Sequence, residues 1–367
     1  MSQRHEPDRR LLRLRHDKSK ELDALLDEAE SRGSCLAATT PSLRRALTTR
    51  LQRGLLVSPF PRLFARPQTW KDLTPTARHR HILAGVGQLH PSWTACGVSA
   101  AVAHGLQVPY RLLDGRIHVY LGKGNTRSTA TVLFHGAPKD LSPTLADGIR
   151  ATDIRRTALD CMRSADARAA TAIADSSLRL AEMSKGELIE YVSINGRGLR
   201  GIAQAREIAA FADARSANGG ESIARRVIHE LGYAPPDLQA RFDDPLELGR
   251  CYYADFAWTL ENGTLVIGEL DGVEKYMDPA MSGGGGPVGA ILRERRRESR
   301  LTITRAAIAR FSFEEVLDIG WFDRMLATYG VPRVRVPLVA VPPPLAAGCR
   351  YPIPELELVP LSAYGID

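Results

Sequence analysis

Leucine and alanine recur at helical spacing near the start of the chain. Leu22, Leu25, Leu26 and Ala29 predict a helix over 20–32, ended by Ser31-Arg32-Gly33. Residues 34–40 read as a short helix or turn. Thr40 then Pro41 is a helix cap followed by a first helical residue. They open a helix over 41–53 that stops at Gly54. Leu43, Leu47 and Leu51 fall on one side of it, and Arg44, Arg45 and Thr48 on the other. Two apolar runs around a Pro-rich turn predict a hairpin over 55–65. Helix, turn, basic helix and small hairpin is the order of a winged helix, whose second helix enters the major groove. A surface helix of an all-α bundle is the alternative reading of the same pattern.

Residues 74–182 alternate helices with short strands. A small-residue helix is expected over 94–105, strands over 116–121 and 129–134, and helices from 153 and over 165–182. His79, His81, His90, His104 and His118 lack metal-ligand spacing and read as core or surface histidines. Residues 214–220 (Ala-Arg-Ser-Ala-Asn-Gly-Gly) read as a linker. Beyond it the pattern predicts a helix over 221–231 and strands over 237–243, 250–260 and 264–270. A Gly-rich loop over 282–287, a helix over 288–302, a strand over 303–310 and a helix over 313–329 follow. From 331 the chain is Pro-rich, an extended tail or linker.

Composition narrows the class. Of 367 residues 44% are hydrophobic, enough for cores. No apolar run reaches the roughly 18 residues of a membrane span, and the charged N-terminus leads to no secretory apolar stretch. Five scattered cysteines without a C-x-x-C motif fit reduced thiols in a cytoplasmic protein and no zinc site. The net charge of +7 is local: residues 41–80 carry nine Lys/Arg against one acid, Asp72, and the rest is close to neutral. Such a block reads either as a footprint for phosphate or as a solvated basic face. Arg44, Arg45, Thr48, Arg50, Arg53 and Arg62 are the candidate DNA contacts.

The acidic residues carry the other chemistry. Two β-rich runs, 253–260 and 264–272, are joined by Glu261-Asn262-Gly263, and Gly263 suits the left-handed last residue of a three-residue hairpin loop. That register pairs Leu260 with Thr264 and Asp255 with Glu269, so Asp255, Glu269 and Asp271 are expected on one face. Carboxylates so placed repel one another unless a hard divalent ion, Mg²⁺ or Mn²⁺, sits among them. Such an ion activates water against a phosphodiester, and Lys275 is placed to stabilise the developing charge. An exposed acidic hairpin face is the alternative. The run Arg293-Glu294-Arg295-Arg296-Arg297-Glu298-Ser299-Arg300 either binds phosphate or pairs internally.

Glu221-Ser222-x-x-Arg225, Asp255-Phe256-x-Trp258, Glu269-x-Asp271-Gly272-x-x-Lys275-Tyr276 and the arginine-rich run together resemble proteins related to very-short-patch-repair endonucleases, of the PD-(D/E)XK superfamily. The N-terminal half is similar to the abortive-infection type IV antitoxins, with Arg155-Arg156-Thr157-Ala158-Leu159-Asp160 matching a recurring Arg-Thr-x-x-Asp segment. The likeness covers residues 20–330. It implies an α+β multidomain chain: a winged-helix DNA-binding domain over 20–73, a middle α/β antitoxin-like domain over 74–213, a restriction-endonuclease-like α/β/α domain over 221–330, and the tail over 331–367. It implies Asp255 and Glu269 as metal ligands, with Glu221 on the adjoining core helix and Lys275 in the catalytic set. The superfamily lysine lies two residues after the strand glutamate; here that position is Asp271. The expectation is a DNA-binding regulator of the antitoxin kind whose nuclease-like domain is inactive or specialised. The alternatives are an active Mg²⁺-dependent endonuclease, or an antitoxin that neutralises a nucleotidyltransferase toxin.

Overall fold

A computed structural model describes residues 9–121, 127–138, 141–244, 246–247, 249–271 and 306–341, with side chains from residue 19 onward. The chain is mixed α and β and divides into two compact units, residues 1–226 with 236–257 and residues 227–235 with 258–367.

In the first unit, helix α1 (Arg9–Ser31) leads to strand β1 (Leu36–Ala37), helix α2 (Pro41–Gln52) and the hairpin β2 (Val57–Phe60) and β3 (Leu63–Ala65). The strands form an antiparallel sheet in the order β1-β3-β2. Residues 34–40 therefore hold a strand instead of the expected helix or turn. Ala38 N donates to Arg62 O at 2.9 Å, so the hairpin supplies a partner that the local pattern does not reveal. Thr40 caps α2 by accepting from Leu43 N. Leu47 is fully buried among Leu26, Leu36, Leu56 and Phe64.

Helices α3 (Pro67–Asp72) and α4 (Pro75–Leu89) follow, then β4 (Thr94–Ala95) and α5 (Gly97–Ala103). The expected helix over 94–105 thus yields its first residues to a sheet: β4 pairs with β5 (Ile117–Leu121) and with β8 (Ile149–Thr152). With β6 (Val132–Gly136) and β7 (Pro143–Ala146) the order is β6-β5-β4-β8-β7. Strand β6 starts later than expected because Thr129 Oγ1 is spent in a turn, accepting from Thr131 N and Val132 N. A helical layer of α6 (Ile154–Met162), α7 (Ala167–Leu180), α8 (Lys185–Asn195) and α9 (Ile202–Phe211) has its own core around Leu159, Met162, Leu188 and Ile208. Helix α10 (Gly219–Glu230) begins in this unit, and β9 (Asp237–Asp243) pairs antiparallel with β10 (Cys251–Thr259).

Residues 214–220 are held in place. Arg179 donates to Ser216 O, and Ser216 is buried. Fully buried Asp175 of α7 accepts from Arg225 Nη2 on both oxygens, at 2.9 and 2.7 Å, and from Asp213 N at 2.8 Å. Burial pushes the Asp175 carboxyl up, with Arg225 opposing.

In the second unit, Leu260 N donates to Thr264 O at 2.8 Å and Gly263 has φ +79°, the hairpin loop that Glu-Asn-Gly predicts. Strand β11 (Leu265–Asp271) runs parallel to β12 (Ala307–Ser312). The single helix expected over 313–329 is two, α11 (Phe313–Leu317) and α12 (Ile319–Thr328), because Asp318 leaves helical geometry at ψ 88° and caps α12 through Trp321 N. The Pro-rich segment begins docked: Ala234 N donates to Pro332 O, and Val331 is buried. The Gly-rich loop over 282–287, the arginine-rich helix, Lys275 and residues 342–367 lie outside the described residues. Among the described residues no helix is long and apolar enough to cross a membrane.

His79 is a core histidine. His79 is 4% exposed, its Nε2 lies 2.9 Å from Ser99 Oγ, and burial lowers its pKa to about 4. An imidazole that is neutral when folded and protonates near 6.5 when unfolded makes the unfolded chain take up the extra proton between pH 6.5 and 4. Stability should therefore fall as pH drops through that window, by up to about 1.4 kcal/mol per pH unit for this group. Urea melts of wild type and His79→Gln between pH 7 and 4 check this, the variant showing the shallower decline.

Candidate nucleic-acid interface

Helix α2 is fixed on its apolar side by Leu47, with Leu43 and Leu51 half-buried against the same cluster. Its opposite side borders an open groove of about 740 Å³, lined by Thr39, Thr40, Arg44, Arg45, Thr48 and Arg62 among others. Arg44, Arg45 and Arg53 are exposed. Among the described residues their side chains make no hydrogen bond or ion pair.

Arg62 forms the tip of the hairpin, where Phe60 pairs with Leu63 across a two-residue turn. Its φ of +66° is a left-handed conformation that strains a residue with a Cβ by about 1 kcal/mol. Its guanidinium Nε and Nη2 both donate to Ala38 O, at 3.3 and 2.9 Å, which ties the tip to the end of β1.

Lys71 of α3 is exposed, and four other basic residues of the block are committed elsewhere. Arg50 is 15% exposed, pairs with Asp23 Oδ1 at 2.6 Å and donates to Ser19 O and Oγ on α1. It is a strut between α1 and α2. Arg66 pairs with Asp27 and Glu30 at 2.8 and 2.6 Å, and these acids hold its guanidinium in the charged form. Arg78 donates to Trp70 O and Lys71 O, and Arg80 pairs with Asp147. About half of the charge block is thus spent within the fold, and its free part is Arg44 and Arg45 on α2, Arg53 at the C-terminal cap of that helix and Lys71 on α3.

The Arg-Thr-x-x-Asp segment is a packing device. Asp160 Oδ2 accepts from Tyr120 Oη at 2.7 Å and Arg156 Nε at 3.1 Å, while Oδ1 accepts from Arg163 Nε at 3.3 Å. Burial and the Asp160 charge push the Tyr120 hydroxyl and the Cys96 and Cys161 thiols up, so all three stay protonated. Thr157 Oγ1 is bound to Asp153 O and Thr152 O, which locks the start of α6.

The carboxylates divide between the units. In the first, Glu221 is 3% exposed in the first turn of α10. Its Oε1 accepts from Asn218 Nδ2 at 2.6 Å, and its Oε2 from Ala217 N at 2.7 Å and Gln239 Nε2 at 3.1 Å. The same Gln239 amide lies 3.4 Å from Asp255 Oδ1. Gln239 stands in β9 at φ +49°, opposite Asp255 by register. In the second unit, Glu269 and Asp271 share one face of β11 as i and i+2. Glu269 is buried and aligned with Arg310 on β12, whose Nη1 is 3.2 Å from Asp271 Oδ1. Among the described residues no group of three or more His, Cys, Asp or Glu side chains is placed to hold a metal ion. The Gln239 amide reaches both Glu221 and Asp255, and the Arg310 guanidinium reaches Asp271.

Of the three partners of these acids, one leaves a signal in the sequence and two do not. Asn218, three residues before Glu221, forms a capping pattern that is visible along the chain. Gln239 depends on a left-handed φ, and Arg310 on a strand pairing across 39 residues; neither leaves a local signal.

No family model matches the chain. Two proteins of Mycobacterium tuberculosis, one from strain CDC 1551 / Oshkosh and one from strain ATCC 25618 / H37Rv, are similar to it, and each is described as an uncharacterized protein. Each is 31% identical over 145 residues, 40% of this chain and 48% of the relative. The chain therefore spans about half the length of the curated relatives it matches.

The two kinds of arginine should separate by stability. Arg50→Ala removes the bonds to Asp23 and Ser19 of α1 and should lower the melting temperature, by about 1 kcal/mol of stability. Arg44→Ala, an exposed substitution, should stay within about 0.5 kcal/mol of wild type. Thermal melts of both variants check this.

Proposed function

We propose that the chain is a DNA-binding regulator of the type IV antitoxin kind, and that α2 with the β2–β3 hairpin acts as a winged helix over residues 20–73. The reading rests on one observation. Arg44 and Arg45 on α2 and Arg53 at its C-terminal cap stand exposed and, among the described residues, uncommitted, while the opposite side of the helix is anchored by a fully buried leucine. An inserted helix needs a rigid apolar back and side chains free to exchange counterions for phosphates. Thr48, which lines the same groove, supplies a hydroxyl able to donate to a phosphate or a base edge.

A second reading, a Mg²⁺- or Mn²⁺-dependent endonuclease, takes support from the Gln239 amide that holds Glu221 and Asp255 beside each other. Glu221, with three donors on its two oxygens, fits an anchor of that corner and not a metal ligand. Nicking of plasmid DNA in millimolar Mg²⁺ or Mn²⁺, abolished in Asp255→Ala, is the outcome this reading expects. No nicking by wild type in either metal removes it.

For the first reading, fluorescence anisotropy on duplex DNA across a salt series is the test. Arg44→Ala with Arg45→Ala should weaken binding and flatten the slope of log K against log salt, by about one unit for each phosphate no longer neutralised. Arg50→Ala should leave the slope unchanged. A folded double variant with wild-type affinity and slope would take α2 out of the DNA interface.

A further inference from the structure

A second concavity in the first unit has no part in the readings above. It is a cleft of about 390 Å³ on the far side of α4 from the hairpin. Its floor is apolar: Leu83 and Val86 of α4, Ala95 of β4, Val119 of β5 and Ile149 of β8 are all buried. One end is aromatic. His90 and Trp93 stack with centroids 3.9 Å apart and planes at 8°, and Phe134 meets Trp93 edge-on at 5.2 Å. This gives a flat, fixed wall. Burial, with Arg62 adding to it, holds the His90 pKa below the ordinary imidazole value, so the wall is uncharged at neutral pH.

The lip carries a single charge. Arg150 uses Nε to donate to Thr94 Oγ1 at 3.1 Å, and its terminal nitrogens make no hydrogen bond among the described residues. No Asp or Glu lines the cleft. Of the two acids three residues away from Arg150, Asp147 is paired with Arg80 and Asp153 caps α6 by accepting from Arg155 N and Arg156 N. An apolar floor, a planar aromatic end and one uncommitted guanidinium define the complement: a planar ring system with one negative group. The volume lies within the range of small-molecule sites and is too small for a folded partner's side.

We propose that this cleft is a binding site for a planar aromatic monoanion, its ring against the α4–β8 floor and the Trp93 wall, its carboxylate or equivalent oxyanion on Arg150. The attraction is apolar burial for the ring and a charge-assisted, two-toothed contact for the anion. The site is independent of whether α2 binds DNA.

Gly87 makes the proposal testable without harming the fold. It lies in α4 on the cleft, and a Cβ built there meets nothing within 4 Å. A side chain at 87 therefore grows into the cleft, and replacing a helical glycine favours the helix. The probes are 2-naphthoate and its neutral isostere 2-naphthamide, followed by tryptophan fluorescence and equilibrium dialysis on the full chain. Wild type should bind 2-naphthoate saturably, with a Kd of about 1 mM or tighter, and at least about tenfold more tightly than 2-naphthamide. Gly87→Leu should weaken binding of both probes at least tenfold while its melting temperature does not fall. Arg150→Met should bind the two probes alike. Three results would overturn the proposal: no saturable binding of 2-naphthoate by wild type, equal binding of the two probes by wild type, or wild-type binding retained in Gly87→Leu. Dimerisation in sedimentation velocity that Gly87→Leu abolishes would assign the cleft to a second copy of the chain, and also overturn it.

Discussion

The close approach of α4 to the β2–β3 hairpin at Gly85 governs the first unit. A Cβ at this position would stand 2.8 Å from Leu63 Cδ2 and 3.1 Å from Cys35 O. Only hydrogen fits between a helix backbone and a fully buried leucine this near. The contact lets one hydrophobic core run from Cys35, Phe60 and Leu63 through Ile82, Leu83 and Val86 to Ala95, Val119 and Ile149. The hairpin and the five-stranded sheet are therefore not separate packing problems. The hairpin tip is held from beneath by this core and from the side by the Arg62–Ala38 contact, so the groove along α2 has a fixed rim. Because α4 spends one side on the hairpin, its other side is left to form the apolar cleft.

Small residues recur where this packing is tightest. Helix α5 reads Gly-Val-Ser-Ala-Ala-Val-Ala, and every residue from Val98 to Ala103 is buried. It brings α4, α6 and β5 close, and its one polar side chain, Ser99, is shared between His79 Nε2 and His118 N. A serine with two partners removes the penalty of burying a hydroxyl and an imidazole together. The Tyr120–Asp160–Arg156 network serves the same end on the neighbouring strand and helix. Both clusters look chemical in sequence because their residue types are those of active sites, yet each polar atom named there is used up within the fold.

What the sequence makes legible follows the range of the interaction that decides each feature. Helix α2 is readable because its cap, its first-turn proline and its leucine spacing all lie within 12 residues. The Glu-Asn-Gly loop is readable because Gly263 alone meets the left-handed requirement. Strand β1 has two residues and exists only through pairing with β3, Leu36 with Phe64 and Ala37 with Leu63, so nothing local announces it. The same holds for the basic block. Arg50 and Arg44 are equivalent in composition and spacing, and what separates them is Asp23 and Ser19 on another helix. Charge counted along a chain overstates the charge offered to a ligand whenever the acids that answer it lie outside the counted window. Of the acidic set, Glu221 and Asp255 meet through Gln239, a residue that no pattern of carboxylates would have chosen.

The buried pair of Asp175 and Arg225 bears on where this chain can be divided. Residues 214–220 have the small, polar composition at which a dissection would naturally be made. A cut there sends Arg225 away with α10 and leaves Asp175 in the interior of the α6–α9 layer with no cation. Separating the partners of a buried ion pair costs about 3–5 kcal/mol, a large share of the stability of a domain. The polar stretch is thus a place where the chain is easy to write and hard to sever. Autonomy of folding in this protein is decided by a charge that must be neutralised across the seam, and not by the composition of the seam itself.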